Sequence, residues 1–356
     1  MSPATPETTT LTEKILLRIP LPYVATCIVL GYLVNTLLPI VLLDIVEPGS
    51  ISDPLLEALS PLSLVNSLFL AYMFFAPRYM RLRLLKSEKQ LSQLLPAGED
   101  DFHRIFGRVS SLKPQILFWG FFTVLLLADF NILPLLLPTT GSGQSSGPQP
   151  ATSLGIGVAE FASILSFIVT TLVISSLAWV YYSSLRGIHK LGSLSINFAP
   201  FYRDTFLGLR PVGSLALSLA ATYFVLVIFF VALGFASSPS LVDLVTVGGL
   251  LVGLVIVGIL AFFLPLRKLH DMMLQQKASE RSSLSERFAK VVESASPERD
   301  PETDALEVLK LDLMDRKVSS IATWPFDFQI LGKLTIIILS VTAALLTRFI
   351  ALFLRF

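Results

Sequence analysis

Charge is what this sequence has least of. Only 15% of its 356 residues are Asp, Glu, Lys or Arg, against 53% hydrophobic, and the mean hydropathy is +0.72. Soluble domains carry roughly 25% charged residues, so water is not the main solvent of this chain. A formal net charge of +1 lacks the concentrated positive field that a general nucleic-acid binder needs. Cysteine occurs once, as Cys27 in an apolar run, which excludes an intrachain disulfide and disfavours a thiolate metal site. The three histidines, His103, His189 and His270, stand far apart. There is no HExxH helix, no P-loop and no GxGD motif. His270-Asp271 follows a membrane exit as in sensor-kinase linkers, yet no ATP-binding domain comes after it. The sequence therefore predicts a non-enzymatic chain with no catalytic residue, cofactor or metal.

Long uncharged runs are what it has instead. Crossing about 30 Å of hydrocarbon takes about 20 apolar residues at about 1.5 Å each, and seven segments meet that requirement. They run from Ile19 to Leu43, Leu55 to Phe75, Gln115 to Leu137, Leu154 to Trp179, Val212 to Phe235, Leu241 to Leu264 and Phe328 to Phe353. The predicted fold class is all-α, an integral membrane helical bundle of about seven transmembrane helices with two cytoplasmic helical hairpins. Its parts are a cytoplasmic leader 1–18, spans 19–76, a hairpin 77–114, spans 115–181, an interfacial cytoplasmic loop 182–211, spans 212–264, a second hairpin 265–327 and a last span 328–356. The leader resembles a signal peptide in outline, but its apolar run is long and lacks a small-x-small cleavage site, so it reads as a retained anchor.

Lys and Arg set the direction. Eight fall between Arg78 and Lys113, four between Arg186 and Arg210, and ten between Arg267 and Lys317, while the alternate connections 44–54, 138–153 and 236–240 contain none. This asymmetry predicts a multi-pass plasma (inner) membrane protein with its N-terminus cytoplasmic and its C-terminus external. Within the first hairpin, Pro96-Ala97-Gly98 breaks a basic helix, and Glu99, Asp100 and Asp101 suit the start of the next. In the second, Asp300 before Pro301 marks a helix restart, and Leu306, Leu309 and Leu313 continue an apolar stripe. That hairpin reads either as a solvated stalk or as a site for a homo-oligomeric or cytoplasmic protein partner. Phe198, Phe201, Tyr202 and Phe206 suit rings lying at headgroup depth.

Few polar residues enter the spans. Counting about 1.5 Å per residue puts Asp129 about 9 Å below the outer boundary and Glu160 at a similar depth. Two inward carboxylates at one level could hold a cation or share a proton, and both equally suit an outer-end hydrogen bond. Ser163, Ser166, Thr170, Thr171 and Ser175 fall on the same half of the fourth helix, as a wet face or as small residues that let helices approach. Gly249 and Gly253 have small-xxx-small spacing and predict a helix contact. Lys333 lies about 7 Å from the inner end of its span, too shallow for a midplane chromophore. Trp324 and Pro325 suit an interfacial anchor and helix break before the last span.

The blocks Ile188-His189-Lys190, Ser195-Ile196-Asn197-Phe198, Leu264-Pro265-Leu266-Arg267-Lys268-Leu269-His270 and Thr323-Trp324-Pro325-Phe326-Asp327 resemble a family of uncharacterised bacterial polytopic inner-membrane proteins. In that family an INxF-like block precedes a span and a TWPF-like block precedes the last one, with a charged helical hairpin between. The resemblance covers roughly the C-terminal half. It implies a bacterial inner membrane and brings no activity. Two functions follow as expectations: conducting, transporting or sensing a small cation or proton through an outer acidic cavity, or acting as a signalling or assembly scaffold through 265–327.

Overall fold

The computed structural model describes residues 9–46, 56, 58–129, 153–234, 241–293 and 301–353, and among them all regular structure is helical. In chain order the helices are α1 (Leu11–Leu16), α2 (Tyr23–Tyr32), a π-helical turn (Leu33–Leu37), α3 (Leu38–Val46), α4 (Pro61–Ser92), α5 (Glu99–Phe106), α6 (Leu112–Asp129), α7 (Ser153–Leu191), α8 (Arg210–Gly234), α9 (Leu241–Glu293), α10 (Pro301–Ser319) and α11 (Phe328–Phe353). Five stretches are long and apolar enough to cross a membrane: Tyr23–Leu42, Ile164–Leu191, Arg210–Leu233, Gly248–Val291 and Phe328–Thr347. This is the helix inventory of a multi-pass membrane protein.

These five coincide with the first, fourth, fifth, sixth and seventh expected spans. The second falls on α4, where the apolar run opens at Pro61 and meets Arg78 directly after Pro77, and it is not among the five. The third runs past Asp129, beyond the described residues, and the connection 138–152 lies there too.

The chain divides into two compact units. The first contains Met1–Arg81, Arg108–Tyr182 and Ile228–Val247. Here Gly31 lets α2 close on α4, since a Cβ would stand 2.6 Å from the Ser67 carbonyl and 2.9 Å from the Ala71 Cβ. The Thr36 and Ser67 hydroxyls meet at 2.6 Å one turn further on. Between them the Leu38 N–H reaches back five residues to the Leu33 carbonyl. That widened turn stands just before Pro39, whose ring nitrogen cannot donate to the helix ladder.

The second unit contains Leu82–Gly107, Ser183–Val227 and Gly248–Phe356. Helix α9 runs for 53 residues straight through Pro265, so the expected border at 264–265 is no break in the backbone. Apolar helices tolerate such a proline because neighbouring groups take up the freed carbonyl. Helices α8 and α9 approach at Gly258, where a Cβ would lie 2.7 Å from the Tyr223 ring, and the Tyr223 hydroxyl donates to the Leu254 carbonyl at 2.8 Å. The expected Gly249 and Gly253 contact is not seen among the described residues: a Cβ at either would meet no described atom within 4 Å. Spacing of small residues allows a close approach but does not choose its place.

The segment 192–209 is a packed crossing, since Leu207 and Leu209 are buried and its backbone is bonded on both sides. The Asn197 N–H donates to the Leu94 carbonyl at 2.8 Å, and the Ala322 N–H to the Thr205 carbonyl at 2.9 Å. Leu207 and Gly208 both take positive φ, 54° and 84°, held by the Asp204 carboxylate, which accepts from the N–H groups of Phe206 and Gly208. Left-handed backbone is costly for leucine, and here the buried side chain and the two bonds hold it in place.

The glycines give a paired prediction. Gly31→Ala should lower thermal stability in detergent by about 1–3 kcal/mol through overpacking against α4, whereas Gly249→Ala should be neutral or stabilising by up to about 1 kcal/mol. Equal losses at both positions would contradict the packing described.

Candidate functional site

The side chains of Asp129, Glu160 and Ser163 lie outside the described residues, although their helices α6 and α7 do not. Along the rest of the polar face, Ser166 and Thr170 are half-buried and Thr171 and Ser175 buried. The Thr171 hydroxyl donates to the Ile168 carbonyl at 3.0 Å and accepts from the Trp119 indole N–H at 3.2 Å. Ser175 donates to the Leu172 carbonyl at 2.9 Å. Both hydroxyls are thus satisfied by protein, and Thr171 joins α6 to α7. At these two positions the face is a packing seam.

A different charged group is buried in the first unit. Glu13 is fully buried, and the Arg81 guanidinium grips it with two bonds, Nε to Oε2 and Nη2 to Oε1, each at 2.8 Å. The Thr10 N–H and hydroxyl also donate to Oε2, at 3.0 and 3.1 Å. The Arg78 Nε stands 3.9 Å from Oε1, and its guanidinium lies 4.0 Å over the Tyr23 ring. Thr12 extends the network to Ser176, hydroxyl to hydroxyl, at 3.1 Å.

Two guanidiniums therefore face one carboxylate, and Nη1 of Arg78 and Nη1 of Arg81 have no hydrogen-bond partner among the described residues. Buried charge is costly unless paired, and a two-pronged Arg–carboxylate bond is the geometry that compensates best. Within the leader, Thr9, Thr10, Thr12, Glu13 and Leu16 are buried. The physical reason is the capping box of α1, Thr10 with Glu13, which presents the carboxylate to Arg81. The T-x-x-E spacing and the Arg pair three residues apart after an apolar run were visible in the sequence, but nothing in it joins them.

In the second unit the joint before α11 is fixed by polar contacts. The His270 ring stacks on Trp324, centroids 4.1 Å apart, and its Nδ1 donates to the Thr323 carbonyl at 2.6 Å. The Lys277 ammonium donates to the Ser319 and Ile321 carbonyls at 2.7 and 2.8 Å. Phe263 and Phe326 also contact Trp324. Pro325 is buried, and its carbonyl sits where a Cβ on Gly213 would have to be. Trp324 and Pro325, expected as interfacial anchors, are engaged by protein. Asp327 caps α11, accepting from the Ile330 N–H at 2.8 Å and from Arg210 at 2.7 Å. The Ile330 N–H is the main cause that holds its carboxyl below the usual carboxylate range, with Arg210 adding to it against slight burial.

Among the described residues no three His, Cys, Asp or Glu gather in a way that could hold a metal ion. Comparison of the chain with family models, with curated proteins and with solved structures finds no match.

Two outcomes are expected. Glu13→Gln should cost about 3–5 kcal/mol in thermal unfolding, because it leaves buried guanidiniums uncompensated, and combining it with Arg81→Leu should recover part of that loss. Asp327→Ala should cost about 1 kcal/mol at neutral pH. A depressed carboxyl stabilises fully above its unfolded pKa and loses this as pH falls through the folded value, so wild type and Asp327→Ala should converge in strong acid. A gap that persists there would exclude the ionised cap.

Proposed function

We propose that this chain is a non-enzymatic membrane protein acting as a signalling or assembly scaffold through the segment 265–327. The observation that carries this reading is the apolar stripe of α10, where Leu306, Leu309 and Leu313 are 61%, 54% and 55% exposed. Spacings of three and four residues put them on one helix face. The helix is not among those apolar enough to cross a membrane. With Phe201, Tyr202 and Met314 they line a groove of about 620 Å³, with Lys310 and Lys317 also in its wall. Such a groove suits an amphipathic helix of a partner protein, with leucine-sized anchors and carboxylates facing the two lysines. The fixed crossing 192–209 and the joint at His270 and Trp324 support the reading, because a docking face must be held rigidly to transmit force or a signal.

In this proposal the chain crosses a bacterial plasma membrane about seven times, N-terminus inside and C-terminus outside. The distribution of Lys and Arg supports that orientation, and the five apolar helices are compatible with it. The cation or proton reading rests on Asp129 and Glu160 and draws no support from Thr171 and Ser175, whose hydroxyls are taken up by packing.

A photocrosslinker placed at Leu306 in native membranes should capture one defined partner band. Leu309→Asp with Leu313→Asp should reduce that band about tenfold or more without loss of membrane insertion, since about 2 kcal/mol of anchor burial would be removed from a docked helix. Asp129→Asn with Glu160→Gln should leave the band intact. If that pair instead abolishes a pH- or cation-dependent flux in liposomes while the band is insensitive to the leucine changes, the scaffold reading is wrong.

A further inference from the structure

A second hollow, of about 690 Å³, lies in the same unit where α11 begins. Its wall brings together Arg203 and Arg210, from the crossing and the start of α8, with Lys333 of α11. Two carboxylates are also there, but their oxygens are occupied: Asp204 by the Phe206 and Gly208 N–H groups, Asp327 by Arg210 and the Ile330 N–H. Neither the Arg203 guanidinium nor the Lys333 ammonium has an ion pair or hydrogen bond to any described residue. The glutamine amides of Gln90, Gln93 and Gln329 add neutral donors. With three cations against two carboxylates the wall carries a net charge of +1, and Arg203 and Lys333 are its cations without a partner among the described residues.

Position decides what kind of anion fits. Lys333 belongs to the apolar helix Phe328–Thr347, about 7 Å past its start, and an ammonium at that depth reaches along the helix toward the boundary. Further along the same helix Ile336, one turn on, and Leu339, nearly two turns on, are 64% and 67% exposed. Cations at the mouth of a hollow, with exposed apolar surface running on from it, match an anionic headgroup with acyl chains attached. Arg203 supplies the flat fork that suits phosphate oxygens, and Lys333 a point charge.

We propose that this hollow binds a phosphate-bearing anion, the headgroup of an acidic phospholipid, through Arg203 and Lys333. Arg210 is held by Asp327 and forms the wall between them. The site is separate from the α10 groove, so it stands or falls independently of the scaffold reading.

The test is thermal unfolding of the full chain in neutral detergent micelles, titrated with phosphatidylglycerol, phosphatidylcholine or inorganic phosphate. Phosphatidylglycerol should raise the midpoint saturably and less so in high salt, and phosphatidylcholine, whose choline cancels the phosphate charge, should not. Arg203→Gln with Lys333→Gln should weaken the apparent affinity about tenfold or more with the lipid-free midpoint unchanged. Lys310→Gln with Lys317→Gln, outside the hollow, should leave it as in wild type. Should the first double variant fail to fold, Lys333→Gln alone carries the same expectation. An equal response to both lipids, or a double variant with wild-type affinity, overturns the site. A full response to inorganic phosphate, with none added by phosphatidylglycerol, overturns the lipid as its source.

Discussion

An apolar surrounding cannot hydrogen-bond a peptide group, and this constraint governs the chain. Every N–H and C=O in a span must be satisfied within the span itself, which leaves the helix as the only local structure available. The fold accordingly continues helices past points where soluble proteins would break them. Helix α9 passes through Pro265 and α4 through Pro77, and the ladder before Pro39 widens into a π-turn instead of ending. Specific chemistry is then confined to places where helices begin, end or touch.

Charge is handled in two opposite ways at those places. Around Glu13 it is buried and gripped, with Arg81 in two-pronged contact and Arg78 close by. That arrangement secures the start of the chain to α4 and leaves little room for exchange. Around Asp327 the cations stand at the surface, and among the described residues Arg210 is paired while Arg203 and Lys333 are not. Burial with pairing fixes structure, and exposure without pairing leaves a field for a ligand. The two sites thus divide the polar work of the chain between holding the fold and presenting charge.

The crossing 192–209 shows how the second unit keeps its non-helical backbone. The Asn197 N–H is taken by the Leu94 carbonyl, the Thr205 carbonyl by the Ala322 N–H, and the Phe206 and Gly208 N–H groups by the Asp204 side chain. The buried Leu207 and Leu209 give it a small core of its own. A segment so fixed orients both α10 and the start of α11, because Thr205 holds Ala322 between them.

Composition and the lengths of apolar runs determined the helical class, five of the spans and the start of α10 at Pro301, because span length and helix punctuation are local properties of the chain. Partners were not legible. Glu13 read as the end of a polar leader, Gly249 and Gly253 as a helix contact, and Trp324 as an anchor at the headgroups. The neighbours found among the described residues come from far along the sequence: Arg81 for Glu13, Tyr223 for Gly258 and His270 for Trp324. The amino-acid order fixes which face of a helix is small, charged or apolar. Only the tertiary packing decides which of those faces meets another, because a contact energy depends on the group opposite, and the sequence does not say which group that is.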